Sequence, residues 1–246
     1  MARKILMIVF LFAVLVTKGQ NKMRSADELI SRDEPAWPIV KEWIESAKNK
    51  TEILPADTIR AKDALFKTQV TTRSPMGAVV YMTGGILIQD GWIRVLGSWS
   101  ERMNRSLPEW NKGKSFNEFG EQPSFLLIAD DVIGGFFILN GGSLGNDLGK
   151  VYYFSPDNLE YEPLGITYTE FLDFCFNGNL DKFYEGRQWA NWKDEVSGLA
   201  GDKAFGFYPY LWTKEGKDIN TITRKIISVE ELYQFNTSIK KQLNKE

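Results

Sequence analysis

The chain has 246 residues, with 30 Lys and Arg against 32 Asp and Glu, one cysteine and no histidine. That length holds one large domain or two small ones with a true core, and a net charge of −2 excludes the electrostatic footprint of a nucleic-acid binder. Without imidazole, Ser-His-Asp and Cys-His catalysis and the usual zinc sites are excluded, and a transition metal would need carboxylates alone.

The first segment is basic, Met-Ala-Arg-Lys, and runs into the 12 apolar residues Ile5 to Val16. This is the pattern of a secretory signal peptide over residues 1–20, too short to span a bilayer comfortably. Its removal takes Arg3, Lys4 and Lys18 and no acid, which moves the net charge from −2 to −5. The expected mature chain is therefore periplasmic or secreted, has no membrane contact after cleavage, and forms one α+β domain over residues 21–246. Its negative charge suits a basic protein partner.

Ser25 and Glu28 have the spacing of a capping box. Pro35 and Pro38 precede a helix with Val40, Trp43, Ile44 and Ala47 on one face. "PADTIRAKDALFKT" predicts a further helix, capped by Asp57 or Thr58, with Ile59, Ala61, Ala64 and Leu65 as its apolar side. "SPMGAVVYMTGGILIQDGWIRVLGS" reads as a meander of three short strands, broken at Gly84-Gly85 and Asp90-Gly91. A long polar loop follows, with one helical turn around Leu107 to Asn111. "SFLLIADDVIGGFFILNGG" and "GKVYYFSPDNLEYEPLG" predict three or four strands, and "TYTEFLDFCFNGNLDKFYE" a helix between Thr167 or Thr169 and Gly178. "QWANWKDEVSGLAGDKAFGFYPYLW" mixes a short helix with an extended segment, and Ser228 and Glu231 cap a last helix. Helices, then strands, then helices predict an α+β fold with an antiparallel sheet flanked by helices.

Three places invite chemistry. Gly141-Gly142-Ser143-Leu144-Gly145 fits the nucleophile-elbow pattern G-x-S-x-G. An elbow needs a helix after the turn, but "GKVYYF" is a β-rich run, and no histidine exists to activate Ser143. The stretch is expected to be a strand–loop–strand turn, and Lys150 too is not placed to complete a phosphate loop. Cys175, between Phe174 and Phe176, reads as a buried thiol. A ligand or partner surface is expected at Trp92, Arg94 and Trp99, where an exposed indole beside a guanidinium stacks on and clamps an anionic group, and at Asp130 and Asp131, a carboxylate pair at a strand end. With eight Trp, some are expected to face a groove or a partner.

The residues Asp130-Asp131, Gly134-Gly135-Phe136, Gly149 through Tyr153 and Phe171-Leu172 resemble the pattern of the SUKH superfamily, over about residues 120–180. That resemblance implies an α+β domain that binds other proteins, often as an immunity protein that neutralises a toxin. "WPIVKEWIESA", "TTRSPMGAVVYMTGGILIQDGWIRVLGS" and "GGFFILNGG" through "YTEFLDFCFNGNLDKFYEGRQW" are similar to a bacterial family of unknown function, DUF2625, across nearly all of the mature chain. Together these lead to the expectation of a non-enzymatic, protein-binding module with no cofactor and no metal. The competing expectation is an envelope enzyme or binding protein for glycans or a small anionic ligand.

Overall fold

The fold is described by a computed structural model that covers residues 22–243, and the expected signal segment lies outside the described residues. Seven strands form one sheet: β1 (Thr51–Leu54), β2 (Gly85–Ile88), β3 (Ile93–Leu96), β4 (Phe125–Asp131), β5 (Phe136–Asn140), β6 (Lys150–Phe154) and β7 (Tyr161–Thr167). They neighbour one another in chain order, and every pair is antiparallel. A separate hairpin-like sheet pairs β8 (Lys203–Tyr208) with β9 (Thr223–Ser228). The helices are α1 (Ala26–Leu29), α2 (Trp37–Glu45), α3 (Thr58–Thr68), α4 (Pro75–Met82), α5 (Leu107–Asn111), α6 (Tyr168–Asn177), α7 (Leu180–Phe183), α8 (Trp192–Ser197) and α9 (Val229–Leu243). An antiparallel sheet flanked by helices is the expected α+β class.

Local chemistry explains most boundaries. Ser25 and Glu28 close a reciprocal capping box on α1, and Thr167 and Glu170 close another on α6. Asp57 accepts from the amides of Ile59 and Arg60 and so starts α3. Ser228 accepts from the Glu231 amide at the start of α9. Strands β2 and β3 are buried at every position, because both faces of the sheet are covered. That is why "GILI" and "IRVL" are continuous apolar runs rather than alternations, with Arg94 the one charged exception.

The sequence expectation fails at "PMGAVVYM". Its apolar run predicts the first strand of a meander, and it is α4. Ser74 accepts from the Gly77 amide and Pro75 takes the first helical turn, where its missing N–H is no loss. The helix is buried along Met76 to Val80, so its apolar run carries no amphipathic period to separate it from a strand. Two further strands, β1 and β9, lie in "TEIL" and "TRKIIS", polar segments whose strand character comes from pairing rather than composition.

The β4–β5 turn positions the C-terminal part of the chain. Asp131 Oδ1 accepts from the amides of Ile133 (3.1 Å) and Gly135 (2.7 Å) and fixes the turn. Gly134 at its tip has φ of +89°, and a Cβ there would stand 2.5 Å from Leu232 of α9. Only glycine permits both this backbone and this approach.

Candidate functional site

Four of the five residues expected at a surface are in the core. Trp92 is 0% exposed, Arg94 2%, and Asp130 and Asp131 0% each. The expectation of a ligand surface there is corrected by this burial: none of the four can meet a partner. Register brings Arg94 directly opposite Asp130 across β3 and β4. Arg94 Nη2 lies 2.5 Å from Asp130 Oδ1, and Arg105 Nη1 donates to Asp130 Oδ2 at 2.6 Å. Both guanidinium groups also donate to backbone carbonyls outside the sheet, Arg94 to Lys203 and Arg105 to Gly201 (3.0 Å from Nε). The ionic cluster therefore ties the segment that enters β8 to the main sheet. Burial pushes the Arg94 guanidinium down from its ordinary value, and Asp130 opposes that shift.

Asp131 serves a second neighbourhood. Its Oδ2 accepts from the hydroxyls of Tyr153 (2.6 Å) and Tyr184 (3.0 Å). Burial raises its carboxyl above the usual range, while those hydroxyls and the Gly135 amide pull it back. Burial and the adjacent carboxylate hold both phenols well above their ordinary value. Beside them Trp92 packs its ring against Tyr184, Trp189 and Trp192, with centroids 5.4, 5.7 and 4.7 Å apart.

Trp99 stands apart from these four. It is half-buried with φ of +105°, a strained backbone for a bulky residue. The Arg60 guanidinium covers its ring at 3.9 Å. Its groove is shared with Glu52, Asp57, Glu101 and Arg102, of which Glu52 and Arg102 pair with each other at 2.6 Å.

Ser143 lies on a strand–loop–strand connection between β5 and β6. Its hydroxyl donates to the Ser124 carbonyl at 3.0 Å. Asn140 shapes this loop by accepting from the amides of Gly142 and Leu144. The Cys175 thiol is buried, and burial pushes its pKa well up. Among the described residues no group of three or more His, Cys, Asp or Glu is placed to hold a metal ion.

The candidate site is a cavity of about 340 Å³ between β8, β9 and α9. Its size is at the lower end of pockets that take ligands or anchoring side chains. Tyr210 and Trp212, on the loop after β8, stack in parallel at 4.6 Å with 6° between the rings. Phe235 of α9 closes on both, at 5.2 Å and 5.7 Å. Phe205 and Phe207 of β8 and Leu232 of α9 complete the apolar wall. Tyr208 at the rim is 68% exposed. On the β9 side, Arg224 pairs with Glu195 (Nε to Oε2, 2.9 Å) and lies over the Trp189 ring at 4.8 Å. The sequence predicts only an extended segment here, because a wall assembled from β8, β9 and α9 leaves no charged or spaced motif along the chain. The available signal was density: five aromatic residues between Phe205 and Trp212, more than one strand face can bury.

The family model described as "Protein of unknown function DUF2625" matches residues 26–232. An uncharacterised protein of Haemophilus influenzae (strain Rd) is 45% identical over 222 residues, which is 90% of this chain and 97% of that protein. An uncharacterised protein of Escherichia coli K12, YbfG, is 43% identical over 218 residues, covering 89% of this chain and 98% of its own length. No solved structure is a significant match.

Proposed function

The chain belongs to the DUF2625 family of proteins of unknown function, and from that footing we propose that it is an exported, non-enzymatic binding module whose protein partner seats on the aromatic cavity between β8, β9 and α9. The carrying observation is the Tyr210–Trp212–Phe235 stack in a concave wall with Tyr208 exposed beside it. Stacked, rigid aromatic groups around a pocket are what energetically dominant interface centres use. The residue chemistry supports binding over catalysis: the chain has no histidine, and its one thiol is buried and held protonated. The basic start and 12-residue apolar run support export to the periplasm or the exterior. The SUKH-like residues around Asp130 to Tyr153 support a protein as the ligand, in the manner of an immunity protein.

The test is recovery of partners from an envelope extract by the full chain, tagged and exported by its host, beside Tyr210→Ala/Trp212→Ala. One dominant protein retained by the parent and lost from the folded double variant is the expected result. The same set of proteins on both, with equal circular dichroism, would remove the cavity from the function.

A further inference from the structure

Among the described residues, the outer edge of β9 pairs with no strand. On its far side β8 is joined to the main sheet, where the Phe205 amide donates to the Val132 carbonyl at 2.7 Å. In an antiparallel ladder both backbone groups of a residue point the same way, toward the neighbouring strand or away from it, and the direction alternates along the chain. Phe205 points away from β9. Ile226 stands opposite Phe205 and therefore points away from β8, as does Arg224 opposite Phe207. The Val229 amide donates to Asp202 at 2.9 Å, as that alternation requires. The amides and carbonyls of Arg224 and Ile226 thus face outward, without a hydrogen-bond partner among the described residues. Beside them the Ile226 side chain is 59% exposed.

An open edge invites pairing with another chain, and folded proteins blunt such edges. The seven-stranded sheet does so at both ends. β1 has only 4 residues, and β7 carries Pro163, which has no N–H, and Gly165 at a φ of +71°. β9 has 6 residues, neither proline nor glycine, and an unbroken register on β8.

The residues of β9 select what it pairs with. Outward groups fall on alternate residues, so a two-fold axis that matches them passes through a residue: Arg224, Lys225, Ile226 or Ile227. The first two choices set identical cations against each other. The last pairs only Ile226 to Ser228, because α9 begins at Val229. An axis at Ile226 pairs Arg224 through Ser228: Ile226 with itself, Lys225 with Ile227, and Arg224 with Ser228. No like charges stand directly opposite, and the two exposed isoleucines cover each other. Arg224 keeps its own Glu195 throughout.

We propose that β9 is a self-association edge, to which a second copy of this chain adds its own β9, antiparallel about a two-fold axis at Ile226. The contact is isologous, so it closes at a dimer and leaves no further edge to extend. It uses the edge of the strand and not the face that lines the aromatic cavity, so it is independent of the partner reading. The surface is small, and a dissociation constant on the order of 10 µM is expected.

Sedimentation equilibrium of the full chain purified from its host tests this, beside hydrogen exchange over the same concentrations. A monomer–dimer equilibrium is expected, with exchange at the Arg224 and Ile226 amides slowing as the dimer fills. Ile226→Pro removes an outward donor that the β8 ladder does not use, and it is expected to leave a folded monomer. Ile226→Lys keeps the backbone and sets two cations on the axis, and it is expected to weaken the dimer by about tenfold or more. Under mild oxidation Ile226→Cys is expected to form a covalent dimer, whereas Tyr208→Cys, equally open to solvent, is not. A protein that stays monomeric to about 1 mM overturns the proposal. So does a dimer that Ile226→Lys leaves at full strength, or equal cross-linking of the two cysteine variants. Protection of the Arg224 and Ile226 amides that appears only when envelope extract is added would assign the edge to a different chain and overturn the second copy.

Discussion

Asp130 is the residue on which the interior electrostatics turn. It has no exposure, and it faces Arg94 and Arg105 at 2.5 and 2.6 Å. Two buried guanidinium groups depend on one carboxylate, and the Asp131 carboxylate is already occupied by two tyrosines and two amides. Asp130→Ala is therefore expected to destabilise the protein by about 3–5 kcal/mol, the cost of leaving buried charge unpaired. Urea unfolding of parent and variant measures it, and a loss below about 1 kcal/mol would show that water or rearrangement relieves the cluster. The residue types were legible in the sequence, where Arg94 and Asp130 stand out as charges in apolar runs. Their meeting was not legible, because it depends on the β3–β4 register, which pairs them across 36 residues of chain.

At the scale of elements, α9 depends on a glycine that it does not contain. The β4–β5 turn presents Gly134 to Leu232 and Asn236, at a φ of +89°. Gly134→Ala adds backbone strain and a clash at the helix surface, so it should lower the melting temperature and expose the α9 amides to faster hydrogen exchange. A cost of more than about 1 kcal/mol is expected for a side chain at positive φ. Unchanged exchange in α9 would mean that the helix is held elsewhere. Caps explain why some elements were readable: Ser25 with Glu28, Asp57, and Thr167 with Glu170 mark their helices by local hydrogen bonds alone. Helix α4 reads as a strand although Ser74 and Pro75 signal its start, because its buried stretch Met76 to Val80 shows no polar face.

For the whole molecule, the ionic cluster acts as a fastening between two sheets. Arg94 and Arg105 donate to the carbonyls of Lys203 and Gly201, and the Phe205 amide donates to Val132 at 2.7 Å. The candidate cavity sits on the fastened unit, so its shape depends on residues that never line it. Arg105→Met should loosen β8 and β9 while the seven-stranded sheet stays closed. Native-state hydrogen exchange would show this as lost protection at Phe205, Phe207 and Ile227 with protection kept at Leu127, Phe137 and Tyr153. Equal loss in both sheets would indicate a single cooperative unit.

The α+β class, the family, the capped helices and the scarcity of catalytic groups are legible in the chain, because they follow from composition and from contacts within a few residues. The roles of Trp92, Arg94, Asp130 and Asp131 depend on packing. Each was visible as a chemical type, and each was expected at a surface, but burial is a property of what packs against a residue from far along the chain. The aromatic cavity has the same origin. Tyr210 and Trp212 become a binding wall only when α9 brings Phe235 and Asn236 across from more than 20 residues away.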